Sequence, residues 1–140
     1  MGCGGCSTKN DVGPPRALTS DRSSTLFNFT DVTQSSLVDF TYRNGKETQQ
    51  NAILESLGGG VGLFDYDLDG RLDLFLPGGG SFGSEAVPTG RASALFRQVI
   101  GGRFENTSQP AGISVARQYS HGVAIADFDH DGFPDALVTG

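Results

Sequence analysis

The sequence has little cysteine, histidine and positive charge, and it has no tryptophan. Among its 140 residues there are two cysteines, two histidines and ten lysines and arginines. Cys3 and Cys6 lie far along the chain from His121 and His130, so the cysteine pair has no second pair of ligands for a zinc site. A redox C-x-x-C motif would need a βαβ context, which the sequence does not offer. We therefore predict neither a zinc function nor a thiol-redox function.

The scarcity of basic residues and of long apolar runs excludes two further classes of protein. The formal net charge is −6 and the pI is about 4.6. The basic residues are scattered and form no patch, which argues against a nucleic-acid or anionic-membrane partner. No apolar run approaches the roughly 18 residues of a membrane-spanning helix. We expect no nucleic-acid partner and no transmembrane span.

What the sequence has in abundance is glycine, with 21 residues, which is typical of a loop-rich β protein. The length suits one domain. Residues 1–24 combine Gly, Pro, Ser, Thr and charged residues with almost no apolar ones, so we predict a tether or disordered segment there. Residues 25–140 form the predicted folded region.

The extreme N-terminus, Met1-Gly2-Cys3, resembles the Gly-Cys junction of a bacterial lipoprotein signal whose apolar part would lie upstream of Met1. Under this interpretation Cys3 carries a lipid anchor. The N-myristoylation pattern fits poorly because it requires Ser or Thr where Cys6 stands. A terminus without any such role is the alternative that stays open.

Acidic residues are concentrated in two nine-residue stretches, 65–73 and 127–135, which both read D-x-D-x-D-G-x-x-D. These hold eight of the sixteen acidic residues. Two carboxylates about 4 Å apart at an effective dielectric of about 20 repel by roughly 4 kcal/mol, so we predict a cation in each stretch. The alternative is that the D-G and D-x-D sequences are ordinary turn formers with Asx-turns. The occurrence of two matching copies disfavours that alternative.

The pattern suits Ca²⁺, which takes about six to eight oxygen ligands and often a glycine at position 6 of its loop. A helix–loop–helix calcium hand is not predicted, because position 12 is Leu76 or Val138 rather than Glu. About two bound Ca²⁺ ions would change the formal net charge from −6 to −2. The predicted ligands are Asp65, Asp67, Asp69, the Arg71 carbonyl and Asp73 in the first loop, and Asp127, Asp129, Asp131, the Phe133 carbonyl and Asp135 in the second.

Apolar, strand-like segments flank both loops, so the repeating unit is strand, acidic loop, strand. The second unit follows the first at an offset of 62 residues, measured between Asp65 and Asp127. A period of that length made of several short strands favours propeller blades over a helical solenoid. The strand-like segments are 60–64 and 72–76 around the first loop, and 122–126 and 136–138 around the second.

The remaining sequence carries weaker signals of secondary structure. Alternation of apolar and polar residues predicts strands, glycine pairs predict turns, and helix-like spacing predicts at most a short helix. The predicted elements are a half-buried strand near 26–32, a strand at 37–42 with a hairpin turn at 43–46, a short helix or irregular loop at 48–57, a long surface loop at 77–89, and strands at 94–99 and 103–106 joined by a turn at 101–102.

The motif F-x-D/N-x-T/S, followed by G-V-x-x-x-D-x-D-x-D-G-x-x-D and an apolar strand, resembles the FG-GAP/VCBS repeat of integrin-α-like β-propellers. More narrowly it is similar to the repeat region preceding the ASPIC/UnbV domain, as in cartilage acidic protein and many bacterial surface proteins. The resemblance covers about 27–140. It implies an all-β fold, a partial β-propeller of about two blades with Ca²⁺ in the loop of each. Because a propeller closes with about four to eight blades, we expect the remaining blades in a longer parent chain.

These observations predict a calcium-binding, extracytoplasmic propeller module with a structural role, which binds a protein or a carbohydrate. The location would be extracellular, periplasmic or on the cell surface. One alternative is the scaffold of a secreted hydrolase, with Ser120 or His121 near an open metal position. The sequence has no histidine pair at metal-ligand spacing, and we predict no catalytic residue. Another alternative is a truncated fragment without independent function.

Overall fold

The computed structural model describes residues 28–83 and 85–140, and within them the chain is nearly all β, as predicted. The predicted N-terminal tether and Cys3 lie outside the described residues. All the elements belong to one compact unit, Asp31–Gly140. They are α1 (Thr33–Ser36), β1 (Arg43–Asn44), two 3₁₀ turns (Lys46–Thr48 and Ile53–Ser56), β2 (Gly62–Phe64), β3 (Asp73–Leu76), β4 (Gly79–Phe82), β5 (Pro88–Gly90), β6 (Ala94–Val99), β7 (Arg103–Asn106), β8 (Gly122–Ala126) and β9 (Asp135–Thr139).

The main sheet has four strands in the order β2-β3-β6-β7, and all neighbouring pairs are antiparallel. This is the four-stranded arrangement expected of one propeller blade. Its β6 and β7 strands occupy the residues predicted from the alternating pattern, and Gly101 and Gly102 form the turn between them with positive φ angles.

A second, two-stranded sheet repeats the first half of that arrangement. Strands β8 and β9 pair antiparallel from Gly122 opposite Thr139 to Ala126 opposite Asp135. The acidic loop joins them, as the first acidic loop joins β2 to β3. The backbone just before β2 contacts the backbone just before β8, because the Gly60 N–H donates to the His121 carbonyl at 2.7 Å. The predicted strand–loop–strand repeat is therefore confirmed.

The predicted surface loop at 77–89 is wrong, because most of it forms the β4–β5 hairpin. Strand β4 pairs parallel with β1 and antiparallel with β5. The glycines that suggested a loop allow close backbone approach instead. A Cβ on Gly79 would lie 1.9 Å from the Arg43 carbonyl oxygen, and one on Gly80 would lie 2.4 Å from the Thr89 carbonyl oxygen.

The predicted strands near 26–32 and at 37–42 are not formed in the described residues. Residues 28–32 contain no strand, and α1 follows them. Leu37, which has a φ of 63°, ends α1, and β1 forms only at Arg43–Asn44. The alternation that suggested the strand is nevertheless real, because Val38, Phe40 and Tyr42 are partly buried between exposed neighbours. No strand among residues 28–83 and 85–140 pairs with this segment. The short 3₁₀ turns at 46–56 agree with the predicted short helix or irregular loop.

The hydrophobic core connects the two repeating units. Phe64, Phe75 and Leu95 are its buried members and come from the four-stranded sheet. Partly buried residues of β8 and β9 pack against them, so the second unit covers the first. The packing residues are Tyr66, Ile113, Val123, Ile125 and Val138. No helix in the described ranges has the length and apolarity needed to cross a bilayer.

Leu95→Ala should destabilise the fold by about 2–5 kcal/mol, because it removes a buried side chain and leaves a cavity. Leu95 is 5% exposed, whereas Leu63 in the same sheet is 56% exposed. Leu63→Ala is therefore the matched control and should change stability by less than about 0.5 kcal/mol. Urea unfolding followed by circular dichroism measures both changes, and equal losses would contradict the assigned core.

Candidate metal centres in the two acidic loops

Each acidic loop closes a hairpin whose strand ends hold the first and last aspartates together. Asp65 directly follows β2 and Asp73 opens β3, and the last paired residues of these strands are Phe64 and Asp73. The second loop is built the same way, with Ala126 paired to Asp135. Carboxylates separated by eight residues in sequence thus become neighbours at the mouth of each hairpin.

The two loops also share their backbone path. Position 4 of each loop has a left-handed conformation, with φ of 57° at Leu68 and 62° at His130. The glycine at position 6 is left-handed as well, with φ of 84° at Gly70 and 91° at Gly132. Glycine adopts this conformation without the steric cost that other residues carry, which explains the D-G pair in both copies.

The position 1 carboxylate folds each loop over itself. Asp65 accepts hydrogen bonds from the N–H groups of Asp69 at 2.9 Å and Gly70 at 2.7 Å. Asp127 accepts the same two bonds, from Asp131 at 3.1 Å and Gly132 at 3.0 Å. Part of the turn-forming alternative is therefore correct. It does not compete with ion binding, because an ionised carboxylate has about four lone-pair sites.

The position 9 carboxylate connects the end of each loop to its beginning. Asp73 accepts from the Tyr66 N–H at 3.0 Å, and Asp135 accepts from the Phe128 N–H at 2.8 Å. Asp73 has a further partner, the Gln98 N–H of β6 at 2.7 Å, and it is fully buried. The first loop is thus attached to the next strand of its sheet through a buried carboxylate.

Three of the predicted ligands converge in each loop, those at positions 1, 3 and 9. In both loops one carboxylate oxygen from each of the three lies within 4.8 Å of the others. A set made only of oxygens suits a hard cation such as Ca²⁺, so the residues fit the predicted ion. The converging groups are Asp65, Asp67 and Asp73 in the first loop and Asp127, Asp129 and Asp135 in the second.

The position 5 aspartates have other partners. Asp69 accepts from the Arg71 N–H at 3.0 Å and forms an ion pair with the Arg71 guanidinium. Asp131 accepts from the Phe133 N–H at 2.8 Å. Neither belongs to its loop's three-carboxylate cluster. The roles predicted for these two aspartates, and for the Arg71 and Phe133 carbonyls, stay predictions.

Arg97 of β6 is a member of the first site that the sequence pattern did not indicate. Its Nε donates to Asp67 at 2.5 Å, and a terminal nitrogen donates to Asp69 at 2.8 Å. The hydrogen bond to Asp67, and then its charge, raise the pKa of the guanidinium. Arg97 lies 30 residues beyond Asp67, so only the pairing of β3 with β6 could have indicated the contact.

Ser120 and His121, the residues of the catalytic alternative, lie just before β8. The Ser120 hydroxyl and the His121 Nδ1 are buried and have no hydrogen-bond partner among the described residues. His121 is in neither carboxylate cluster. Its ring lies 6.5 Å from that of Tyr119, and burial raises the pKa of the Tyr119 hydroxyl.

A separate cleft of about 230 Å³ lies outside the loops. It combines two arginines and three uncharged polar residues with an apolar wall, and none of the loop aspartates lines it. It is smaller than the roughly 300–1,000 Å³ of typical ligand pockets and would take a group of side-chain size. The lining residues are Phe75, Arg91, Ser93, Ile113, Val115, Arg117, Gln118, Ser120 and Val138.

A family model described as an FG-GAP-like repeat matches residues 65–138, which is more than half of the chain. The matched segment begins at the first aspartate of the first loop and ends within β9, so it contains both acidic loops. No curated protein and no solved structure matches the chain.

Asp73→Ala should destabilise the metal-free protein by about 1–3 kcal/mol more than Asp135→Ala does, because it leaves the Gln98 N–H as well as the Tyr66 N–H without an acceptor. Asp135→Ala at the same loop position removes one hydrogen bond from a more exposed site, and it relieves the same kind of carboxylate repulsion as Asp73→Ala does. Urea unfolding in the presence of EDTA measures both. A loss for Asp135→Ala as large as that for Asp73→Ala would contradict the distinct structural role of Asp73.

Proposed function

The chain belongs to the FG-GAP-like repeat family, and on that premise we propose that it is a β-propeller module whose two acidic loops bind Ca²⁺. The FG-GAP part of the resemblance is confirmed by the family match, and the strand arrangement agrees with it. The role proposed for Ca²⁺ is structural: the ions neutralise the loop carboxylates and keep the strand ends of each blade together.

One observation carries this proposal, the duplication of the three-carboxylate cluster by the same loop in both units. At 4.8 Å and an effective dielectric of about 20, each pair of carboxylates repels by on the order of 3 kcal/mol. A divalent cation among the oxygens replaces this repulsion with attraction. Ca²⁺ binds oxygens at about 2.3–2.6 Å with flexible geometry, which suits carboxylates from three different points of a loop.

The proposed location is extracytoplasmic. Calcium sites of extracellular modules typically have dissociation constants of roughly 10⁻⁴–10⁻³ M. FG-GAP repeats are typical of extracellular proteins, which supports this location. The narrower relationship to repeats that precede an ASPIC/UnbV domain is part of the proposal and rests on the sequence motif alone. The proposed lipid anchor at Cys3 likewise rests on the N-terminal sequence.

We propose a protein or a carbohydrate as the partner, bound at the loop side of the propeller. Apolar side chains flank the carboxylates there: Leu68 and Leu72 in the first loop and Phe128 and Phe133 in the second are each more than half exposed. Exposed apolar groups beside a polar site are typical of interaction surfaces. An ion that orders the loop would also fix the positions of these side chains.

A non-catalytic role is part of this proposal. The hydrolase alternative would require the Ser120 hydroxyl or the His121 imidazole to act on a substrate, and the turnover of His121→Ala relative to the unchanged chain tests it. The alternative of a fragment without independent function would be supported by a random-coil circular dichroism spectrum in millimolar calcium.

Isothermal titration calorimetry of the full chain with CaCl₂ should show about two bound ions. Asp67→Ala and Asp129→Ala should each remove one of them, because each variant deletes one carboxylate of a three-carboxylate cluster. Asp39→Ala, which alters an exposed acid outside the loops, is the control and should leave both ions bound. Unchanged binding in both loop variants would contradict the proposal.

A further inference from the structure

The two loops have the same pattern and the same carboxylate cluster, but their cationic surroundings differ. In the first loop the guanidinium of Arg97 contacts Asp67 and Asp69, and that of Arg71 contacts Asp69. In the second loop, Phe133 stands where the first has Arg71. Over residues 28–83 and 85–140, no lysine or arginine forms an ion pair with a second-loop aspartate.

The position of Arg97 is set by the sheet and not by the loop. Strand β6 pairs with β3, and Phe96 lies opposite Leu74. The next residues of β6 are then held against the loop through Gln98, whose N–H donates to Asp73 and whose carbonyl accepts from the Arg71 Nε at 3.0 Å. Strand β6, which is held by its own backbone hydrogen bonds, therefore places the Arg97 guanidinium beside the loop carboxylates.

The Asp67 carboxylate that Arg97 contacts belongs to the proposed ion site. Asp67 is one of the three carboxylates that converge in the first loop, and Arg97 Nε contacts its Oδ2. The other contact occupies Asp69, which the sequence pattern predicts as a fourth carboxylate ligand. An ion bound to these oxygens would have to displace the guanidinium or share the oxygens with it.

We propose that Arg97 is a tethered cation that competes with Ca²⁺ at the first loop, so that the second loop binds Ca²⁺ more tightly. This inference rests on the calcium binding proposed above. Four carboxylates and two guanidiniums give the first loop a formal charge of −2, whereas the four carboxylates of the second give −4. As calcium rises, the second loop fills first. The first loop, already partly neutralised, keeps its conformation without an ion.

The test compares single-loop variants by calcium calorimetry on the full chain. Asp129→Ala should abolish calcium binding at the second loop, so that calorimetry measures the first loop alone. Asp67→Ala should abolish binding at the first loop, so that calorimetry measures the second. In the Asp129→Ala background, adding Arg97→Gln should lower the dissociation constant about tenfold, because a partly exposed guanidinium is screened by solvent and its competition is moderate. In the Asp67→Ala background the same substitution should leave the dissociation constant unchanged.

Two further variants separate competition from a structural effect. Arg103→Gln removes an exposed arginine on β7 that contacts no loop aspartate, and it should change neither dissociation constant. Arg97→Lys keeps the charge without the two-point contact and should give a first-loop affinity between those of Arg and Gln. Urea midpoints in EDTA establish that each variant is folded before calcium is added.

The possible results distinguish the inference from the function on which it rests. If neither single-loop variant binds calcium while both are folded, the proposed function is overturned and this inference with it. If calcium binds but Arg97→Gln leaves the first-loop dissociation constant unchanged or raises it, only the competition is overturned. Equal affinities of the two loops with Arg97 in place would overturn it as well.

Discussion

Like charge brought together by strand pairing is the constraint on which the rest of the structure depends. Closing each hairpin places the first and last carboxylates of the loop side by side, so the hydrogen bonds of the sheet and the charges at its end oppose each other. In the first loop the repulsion is partly offset by two guanidiniums and by the Gln98 N–H of β6, which donates to the buried Asp73. In the second loop the aspartates accept only from backbone N–H groups among the described residues, and no lysine or arginine there offsets their charge.

The parts of the fold that sequence could predict are those with short-range signals. The acidic loops follow a nine-residue pattern, and strands β2, β3, β6, β7, β8 and β9 follow local apolar runs or alternation. Strands β1 and β4 have no such signal, because their pairing joins distant segments and depends on glycines, a residue type that predicts a loop. At 37–42 the alternation described burial correctly but could not reveal that no strand in the described part of the chain pairs with this segment.

The residues of the candidate site likewise divide into those that the sequence could predict and those that it could not. The three converging carboxylates of each loop were predictable, because their spacing along one hairpin determines their proximity. Arg97 was not predictable, because its contact with Asp67 exists only through the register between β3 and β6. The partners of Asp69 are a further example: its sequence position indicated a ligand for a metal ion, whereas in the structure it faces two arginines.

The Tyr119 hydroxyl has a mechanical consequence. Its oxygen lies 3.2 Å from the Asn44 carbonyl and 3.0 Å from the Leu54 carbonyl, which share its single proton, and it so connects the segment before the first blade to the residues just before β8. Tension applied from the N-terminal side would act on the Tyr119 hydrogen bond and on the two-residue pairing of β1 with β4 before it acted on the four-stranded sheet. The leading segment would then peel away and lengthen under load while the blade stayed folded, since locally weak elements open before the core does.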